Sequence, residues 1–394
     1  MTQDPTHLPS PAIRPVVLGG IVALAVAMGI GRFAFTPLMP LMIRDGGLDA
    51  ATGAEWAAAN YVGYLVGALT AARFADPRRG LRFGLVGVAV TTLAMAGIGG
   101  IPSPLASLFA GAGLRAAAGV FSAWALVCAS GWCLAELARH RAEALGAWIY
   151  TGVGLGIALA GILAWLGGRQ PADRLWLELG LIAALGAWLV WGFSHGASEA
   201  GTAQRAAAAP AADRSGQAAL VVCYGAFGFG YIVPATFLPA MARALTPDPL
   251  VFGLAWPLFG LAAALSVAGV ARWLKQTPRR RVWAVAQAFM ALGTALPLAV
   301  PSLWSVAASA LLVGGTFMVA TMAGLQLARA AHPADPTPLI ARMTAAFAAG
   351  QIAGPLTVRA LGLLDIADGA ALAWTGAAAT VVLVGTAVWL WCEA

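Results

Sequence analysis

Long apolar stretches, each about 20 residues in length, recur along the whole chain and are separated by short polar segments. A helix of that length spans the roughly 30 Å hydrocarbon core of a membrane. The stretches do not alternate apolar with polar residues, so they predict helices rather than the strands of a membrane barrel. Twelve spans are predicted, at residues 16–43, 54–74, 82–101, 105–135, 145–167, 175–193, 217–242, 250–274, 282–300, 303–328, 339–363 and 370–391.

The polar segment between the sixth and seventh spans, residues 194–216, is rich in Ala, Ser, Gly and Arg. Low-complexity segments of this composition are typical of flexible linkers. We therefore predict an N-terminal six-helix half at 1–193 and a C-terminal six-helix half at 217–394. A linker at 194–216 joins them. The predicted fold class is all-α, integral to the membrane.

The composition agrees with a membrane protein and argues against a soluble protein, a metal-binding protein and an enzyme. Hydrophobic residues make up 60% of the chain and charged residues 10%, against about 25% charged residues in soluble domains. The cysteines and histidines do not have the spacing of a disulfide framework or of a metal site. The sequence also contains neither a phosphate loop nor a nucleophile–base pair, so nothing in it indicates an enzyme. We expect no metal, no cofactor and no nucleic-acid partner. The expected partners are the lipid bilayer and a small-molecule substrate, and the expected oligomeric state is a monomer.

Arginine and lysine residues are distributed unevenly between the two ends of the predicted spans. The end that holds both termini carries 16 of them, the other end carries 5, and Arg32 and Arg115 lie inside spans. Because cytoplasmic loops are enriched in these residues, both termini are predicted to be cytoplasmic. A single lysine beside 22 arginines indicates a high-GC genome, so the predicted location is a bacterial inner membrane.

The first span and the seventh share a sequence pattern at an offset of 199 residues. The matched positions are Gly29 with Gly228, Gly31 with Gly230, Pro40 with Pro239, Met42 with Met241 and Arg44 with Arg243. Arg32 corresponds to Tyr231 at the same offset. Since six spans separate the copies, both run in the same direction, which predicts a parallel repeat about an axis along the membrane normal.

Several segments resemble the YbfB/YjiJ group of the major facilitator superfamily. They are Gly29-Ile30-Gly31-Arg32-Phe33, Ala59-Asn60-Tyr61-Val62-Gly63-Tyr64, Tyr150-Thr151-Gly152-Val153-Gly154 and Gly228-Phe229-Gly230-Tyr231. The resemblance covers nearly the whole chain. It implies the twelve-helix fold of that superfamily and a role in transport, without a settled substrate.

Two further segments are similar to elements of the superfamily. The loop after the second span looks like a degenerate loop 2–3 motif, in which Asp76 is the acid and Arg78, Arg79 and Arg82 form the basic cluster. The resemblance implies a latch for one conformation, while a solvated loop that follows the positive-inside rule is the alternative. Arg115 begins an Arg-x-x-x-Gly element, which in the family is associated with proton coupling or cavity polarity.

Arg32 and Arg115 are the main candidates for a transport site. They lie about 18 Å and about 17 Å from one end of their spans, near mid-membrane, and no Asp or Glu occupies a span core. An arginine cannot be deprotonated in a protein, so each must contact water, main-chain carbonyls or an anionic ligand. A bridge between helix backbones and a site for a carboxylate or phosphate both remain open.

Polar and aromatic positions in other spans complete the candidate site. Each of them alone is more often a packing residue. Together they predict a pocket that is cationic on one wall and aromatic on the other, which suits a small organic anion with an apolar body. The predicted substrate-binding residues are Arg32, Phe35, Asn60, Tyr64, Arg115, Tyr150, Tyr224, Tyr231 and Gln351.

The predicted function is secondary active transport of a small organic anion by alternating access, with protons as a candidate coupling ion. The alternative is proton-driven export of hydrophobic or cationic compounds, which normally needs a carboxylate inside the membrane. A third interpretation, from another class, is a membrane sensor or scaffold that keeps the fold without transport.

The topology is testable with fused reporters. A reporter placed after Arg205 is expected to behave as cytoplasmic, because the arginine-rich ends of the spans lie on that side. A matched fusion after Gly47, between the first two spans, is expected to behave as periplasmic. Periplasmic activity of the Arg205 fusion would contradict the predicted orientation.

Overall fold

The computed structural model describes residues 13–101, 103–195, 214–246, 253–274, 276–332, 336–362 and 368–393. This part of the chain forms twelve long helices, and each overlaps one predicted span. The helices are α1 (Ile13–Arg44), α2 (Ala50–Thr70), α3 (Pro77–Met95), α4 (Pro104–Arg139), α5 (Glu143–Leu166), α6 (Ala172–His195), α7 (Arg214–Leu245), α8 (Ala255–Trp273), α9 (Arg279–Ala299), α10 (Leu303–Ala331), α11 (Thr337–Gly362) and α12 (Asp368–Cys392).

Nine helices in the described part of the chain are long and apolar enough to cross a membrane. The other three, α2, α3 and α11, contain 21, 19 and 26 residues. The twelve-helix prediction is therefore confirmed. Most of the predicted linker, residues 196–213, lies outside the described residues.

Side-chain caps fix the start of several helices. Asp49 Oδ1 accepts a hydrogen bond from the Thr52 main-chain N–H at 2.8 Å, and Ser103 Oγ accepts one from Ala106 at 3.3 Å. Both caps satisfy a donor that the first turn of a helix leaves without a partner. A proline occupies the first turn of α3 and of α4, where its missing N–H costs nothing. These caps and prolines therefore define where α2, α3 and α4 begin.

The two halves repeat the same packing. In the first half α2 packs on α4, and α3 packs on both α4 and α6. In the second half α8 packs on α10, and α9 packs on both α10 and α12. Helices six positions apart in the chain thus have equivalent neighbours, as the predicted parallel repeat requires.

The halves meet along two helix pairs, α5 with α8 and α2 with α11. We call the end of the bundle where α1 begins and α12 ends the terminal face, and the other end the opposite face. Near the opposite face, a Cβ added to Gly161 of α5 would lie 2.8 Å from Pro257 Cδ. Near the terminal face, α11 contacts the turn Ala71–Arg73 that follows α2. The halves are therefore in contact at both ends.

The first helix is interrupted near its middle, whereas its counterpart is not. α-Helix over Ile13–Leu24 gives way to a π-helical segment, Ala25–Ile30, and regular helix resumes at Phe35–Arg44. Counterpart α7 is α-helical throughout Arg214–Leu245. Segments of π-helix cluster at functional positions, so the interruption is a candidate site in itself.

Close contact between α5 and α8 gives a stability test. A Cβ added to Gly260 would overlap the main chain of Ala158 on α5, so Gly260→Ala is expected to cost about 1–3 kcal/mol and to lower the melting temperature of the purified protein. In the matched control Gly385→Ala the added Cβ meets nothing within 4 Å, and helix propensity predicts an unchanged or raised melting temperature. Equal melting temperatures for the two variants would contradict this packing.

Candidate functional site

Arg32 lies in the interruption of α1, at the boundary between the two halves. Its side chain is 3% exposed, and Nη2 donates a hydrogen bond to Gln351 Oε1 on α11. The guanidinium carbon lies 3.8 Å from the centroid of the Tyr64 ring on α2. A cation over an aromatic face at this distance is stabilised by the ring quadrupole. The side chain therefore joins α1 to one helix of each half.

Two of the three guanidinium nitrogens of Arg32 have no hydrogen-bond partner within the described residues. Nε and Nη1 are buried, as is Gln351 Nε2, which also lacks a partner there. No acidic side chain in the described ranges forms an ion pair with Arg32. Buried donors without acceptors are costly, and more so when charged. These buried donors therefore leave hydrogen-bonding capacity for an acceptor within the described part of the chain.

Arg115, from α4, binds main-chain atoms of the same interruption. Its Nη1 donates to Gly31 O at 3.2 Å and its Nη2 donates to Arg32 O at 3.1 Å. The guanidinium carbon also lies 4.7 Å from the Phe35 ring centroid. Asn60 Nδ2 on α2 donates in turn to Arg115 O at 2.9 Å. Arg115, Phe35 and Asn60 thus form a structural group that holds α1, α2 and α4 together.

Aromatic side chains of the second half face Arg32. Tyr231 lies between Phe317 and Phe347 in a stack, with ring centroids 5.3 Å and 5.6 Å apart and interplanar angles of 10° and 13°. The ring centroids of Tyr224 and Phe347 are 5.5 Å apart. Phe347 is also within 5.8 Å of the Arg32 guanidinium carbon. An aromatic cluster of the second half therefore lies beside the buried guanidinium, and the predicted substrate pocket stays a prediction.

Both halves contribute to a closed central cavity. The space left inside is about that of one water molecule, too little for an organic substrate. The halves are in contact on both sides of this narrow space, toward each end of the bundle. The cavity is lined by Met28, Phe33, Tyr64, Leu126, Tyr224, Phe317, Met318, Thr321, Thr344 and Phe347.

The structure brings some predicted site residues together and separates others. Arg32, Tyr64 and Gln351 are in direct contact, while Tyr224 lines the cavity and Tyr231 stacks on two residues of its wall. Tyr150 is not one of the residues that line this cavity, and its hydroxyl donates to Ser130 Oγ at 3.3 Å between α5 and α4.

Sequence reasoning missed Phe33 and Phe317 as wall residues. A phenylalanine is as apolar as its neighbours in a membrane span, so the sequence alone does not distinguish it as a site residue. The available signals were the position of Phe33 beside Arg32 and of Phe317 in a repeated Gly-x-Phe pattern.

Asp76, the acid of the predicted latch, and the nearby Glu136 of α4 have distinct contacts. Asp76 caps α3, since its Oδ1 accepts from the Arg78 main-chain N–H at 2.9 Å and its Oδ2 lies 3.9 Å from Arg79 Nε. Glu136, near the end of α4, is buried and bonds Arg139, and one of its carboxylate oxygens lies 3.9 Å from Arg78 Nη2. Sequence reasoning passed over Glu136 as a span-end acid, although it is the carboxylate that ties α4 to the loop.

Arg82, the last residue of the predicted latch, contacts a different helix. Its guanidinium carbon lies 4.8 Å from the ring centroid of Trp191 on α6. The contacts described for these four latch residues lie within the N-terminal half. The latch itself stays a prediction.

Twelve helices in two equivalent halves, with a buried cation and a closed cavity between them, define a multi-pass membrane protein of the transporter class. Residues 24–390 match the family model described as uncharacterised MFS-type transporter YbfB, and the chain belongs to that family. The predicted membership of the YbfB group in the major facilitator superfamily is therefore confirmed.

A solved structure agrees with the assigned fold. The crystal structure of the human organic anion transporter MFSD10 (TETRAN) superposes on this chain with a TM-score of 0.72. The match covers 97% of this chain and 100% of that one at 16% sequence identity, which is a likeness of fold alone. No curated protein matches the chain.

A pair of substitutions at Asp76 separates the helix cap from the latch. Asn caps a helix as well as Asp does, so Asp76→Asn is expected to leave the melting temperature unchanged, whereas Asp76→Ala is expected to cost about 1 kcal/mol. If the charge also holds one conformation, Asp76→Asn alters the labelling rate of a cysteine introduced at Thr321, which lines the cavity. An unchanged labelling rate would leave Asp76 as a cap only.

Proposed function

We propose that this protein moves a small organic anion across the cytoplasmic membrane of a bacterium by alternating access, with both termini in the cytoplasm. The observation that carries the proposal is Arg32, a permanent cation that is buried between the halves and has two nitrogens without hydrogen-bond partners in the described part of the chain. Ionisable groups at this depth in a membrane protein usually belong to a substrate pathway.

The guanidinium of Arg32 suits a carboxylate or a phosphate. Its planar array of N–H donors matches two oxygens of such a group, which gives geometric selectivity in addition to charge. Gln351 now occupies Nη2 through a neutral oxygen, and an anionic oxygen would make a stronger bond to the same atom. An anion that enters the site would therefore displace Gln351.

The cavity beside Arg32 suits the apolar part of such an anion. Phe33, Phe317 and Phe347 present rings to it, and Met28 and Met318 present flexible side chains. A substrate with one anionic group and an aromatic or aliphatic body would contact both walls. MFSD10, described as a human organic anion transporter, shares this fold, so the fold is able to accommodate an anionic substrate.

Export of hydrophobic or cationic compounds is the second candidate, favoured by the aromatic lining of the cavity. Arg32 counts against a cation because two like charges at short range in a low dielectric repel strongly. Glu136, a buried carboxylate, is bonded to Arg139 at the end of α4 and does not line the cavity. Protons remain a candidate coupling ion under either proposal.

The test measures binding of a panel of carboxylates, organic phosphates and organic cations to purified, monodisperse protein. Arg32→Ala is expected to weaken anion binding by about one to two orders of magnitude, since a buried charge-assisted hydrogen bond is worth roughly 1.5–3 kcal/mol. Arg32→Lys keeps the charge without the planar donor array, so its loss is expected to be smaller.

Gln351 provides the matched pair of controls. Gln351→Glu would give Arg32 a carboxylate partner within the protein, so it is expected to weaken anion binding as strongly as Arg32→Ala. Gln351→Met removes the competing oxygen without adding charge and is expected to tighten anion binding. If Arg32→Ala binds an anion as well as the unmodified protein, Arg32 is a structural bridge. Binding of cations alone would favour the exporter.

A further inference from the structure

The outer surface of each half carries an arginine–tryptophan pair near the terminal face. In the first half, Arg82 near the start of α3 lies over Trp191 near the end of α6, with 4.8 Å between guanidinium carbon and ring centroid. In the second half, Arg281 of α9 lies over Trp391 of α12 at 5.6 Å. The two arginines are 199 residues apart, which is the offset of the internal repeat. The two tryptophans are 200 residues apart, one more than that offset, so the two pairs occupy similar positions in the two halves.

The second half extends its pair by another. Arg280 lies 5.7 Å from the Trp389 ring centroid and donates from Nη1 to Glu393 O at 3.0 Å. Its neighbour Arg281 is exposed and forms no ion pair with an acidic side chain of the described residues. Two adjacent guanidinium groups therefore share one patch of surface with two indole rings.

Apolar side chains continue each pair along the helices toward mid-membrane. Examples from the first half are Phe83, Val86 and Trp188, and from the second Phe289, Leu292 and Val388, all of them exposed. Exposed apolar residues on a transmembrane helix contact lipid chains, and tryptophan favours the level of the headgroups. A cationic group above an apolar strip is complementary to an anionic phospholipid, whose charged headgroup lies above its apolar acyl chains.

We propose that each arginine–tryptophan pair binds an anionic phospholipid of the leaflet at the terminal face. The indole face attracts the guanidinium and holds it at the membrane surface, and the charge and planar shape of a guanidinium suit a phosphate. The acyl chains lie along the apolar strips. The two sites are on opposite halves and apart from the central cavity, so the proposal does not rest on the proposed transport function.

The test uses native mass spectrometry of the full-length protein with dioleoyl phosphatidylglycerol or dioleoyl phosphatidylcholine. The unmodified protein is expected to retain two phosphatidylglycerol molecules in preference to phosphatidylcholine. An arginine near an anionic membrane surface is worth about 1 kcal/mol, so Arg281→Gln is expected to weaken one of the two sites about fivefold. The double variant Arg82→Gln with Arg281→Gln is expected to lose the preference at both sites.

Arg174 provides the matched control, because it is an exposed arginine on the same helix as Trp191 but near the opposite face, where it lies 3.7 Å from Glu178. Arg174→Gln is expected to keep both lipids. Trp391→Leu keeps every charge and is expected to lose part of the preference through the lost contact with the indole face. Inorganic phosphate in the same assay is expected not to displace the lipid.

Three results would overturn the proposal. They are equal retention of the two lipids by the unmodified protein, an equal loss in Arg174→Gln and Arg281→Gln, and displacement by inorganic phosphate. The first would mean no anionic preference, the second a non-specific effect of net charge, and the third a site for a free anion rather than for a lipid.

Discussion

The contact on which the central site depends is the pair of hydrogen bonds from Arg115 to the carbonyls of Gly31 and Arg32. Main-chain groups at mid-membrane have no water to bind, so an irregular segment there needs partners within the protein. Gly119-Val120-Phe121 of α4 resembles Gly315-Thr316-Phe317 of α10 at an offset of 196 residues, and this offset aligns Arg115 with Leu311. The half with the arginine has an interrupted first helix, and the half with leucine has a continuous one.

This asymmetry gives the two halves different tasks on a shared plan. The interruption directs Arg32 toward α2 and α11, where it contacts Tyr64 and Gln351. The continuous helix α7 supplies Tyr224 and Tyr231 to the opposite wall. The first half thus provides the buried charge, and the second half provides most of the aromatic side chains around it.

The fold was predictable because span length and the clustering of arginine in loops follow directly from the membrane as solvent. The site was predictable only where a polar residue interrupts an apolar span, as at Arg32 and Gln351. The same signal included Tyr150, which hydrogen-bonds Ser130 and is not a lining residue of the cavity, because periodicity does not tell which helix a face will meet. Phe33 and Phe317 carried no such contrast, and the interruption of α1 depends on a tertiary contact with Arg115 that no local pattern contains.

The bond between Arg32 and Gln351 gives the proposed site an internal competitor. A buried hydrogen bond to a charged group is worth about 1.5–3 kcal/mol. An anion that displaces Gln351 breaks this bond, so its own contact with Arg32 must offset that loss. The observed affinity would be the difference between two contacts with one guanidinium. Differences in affinity at one site appear mainly in the dissociation rate, so the glutamine would shorten the residence time of the cargo. A lower affinity for the substrate would thus accompany its faster release, which favours a higher turnover rate.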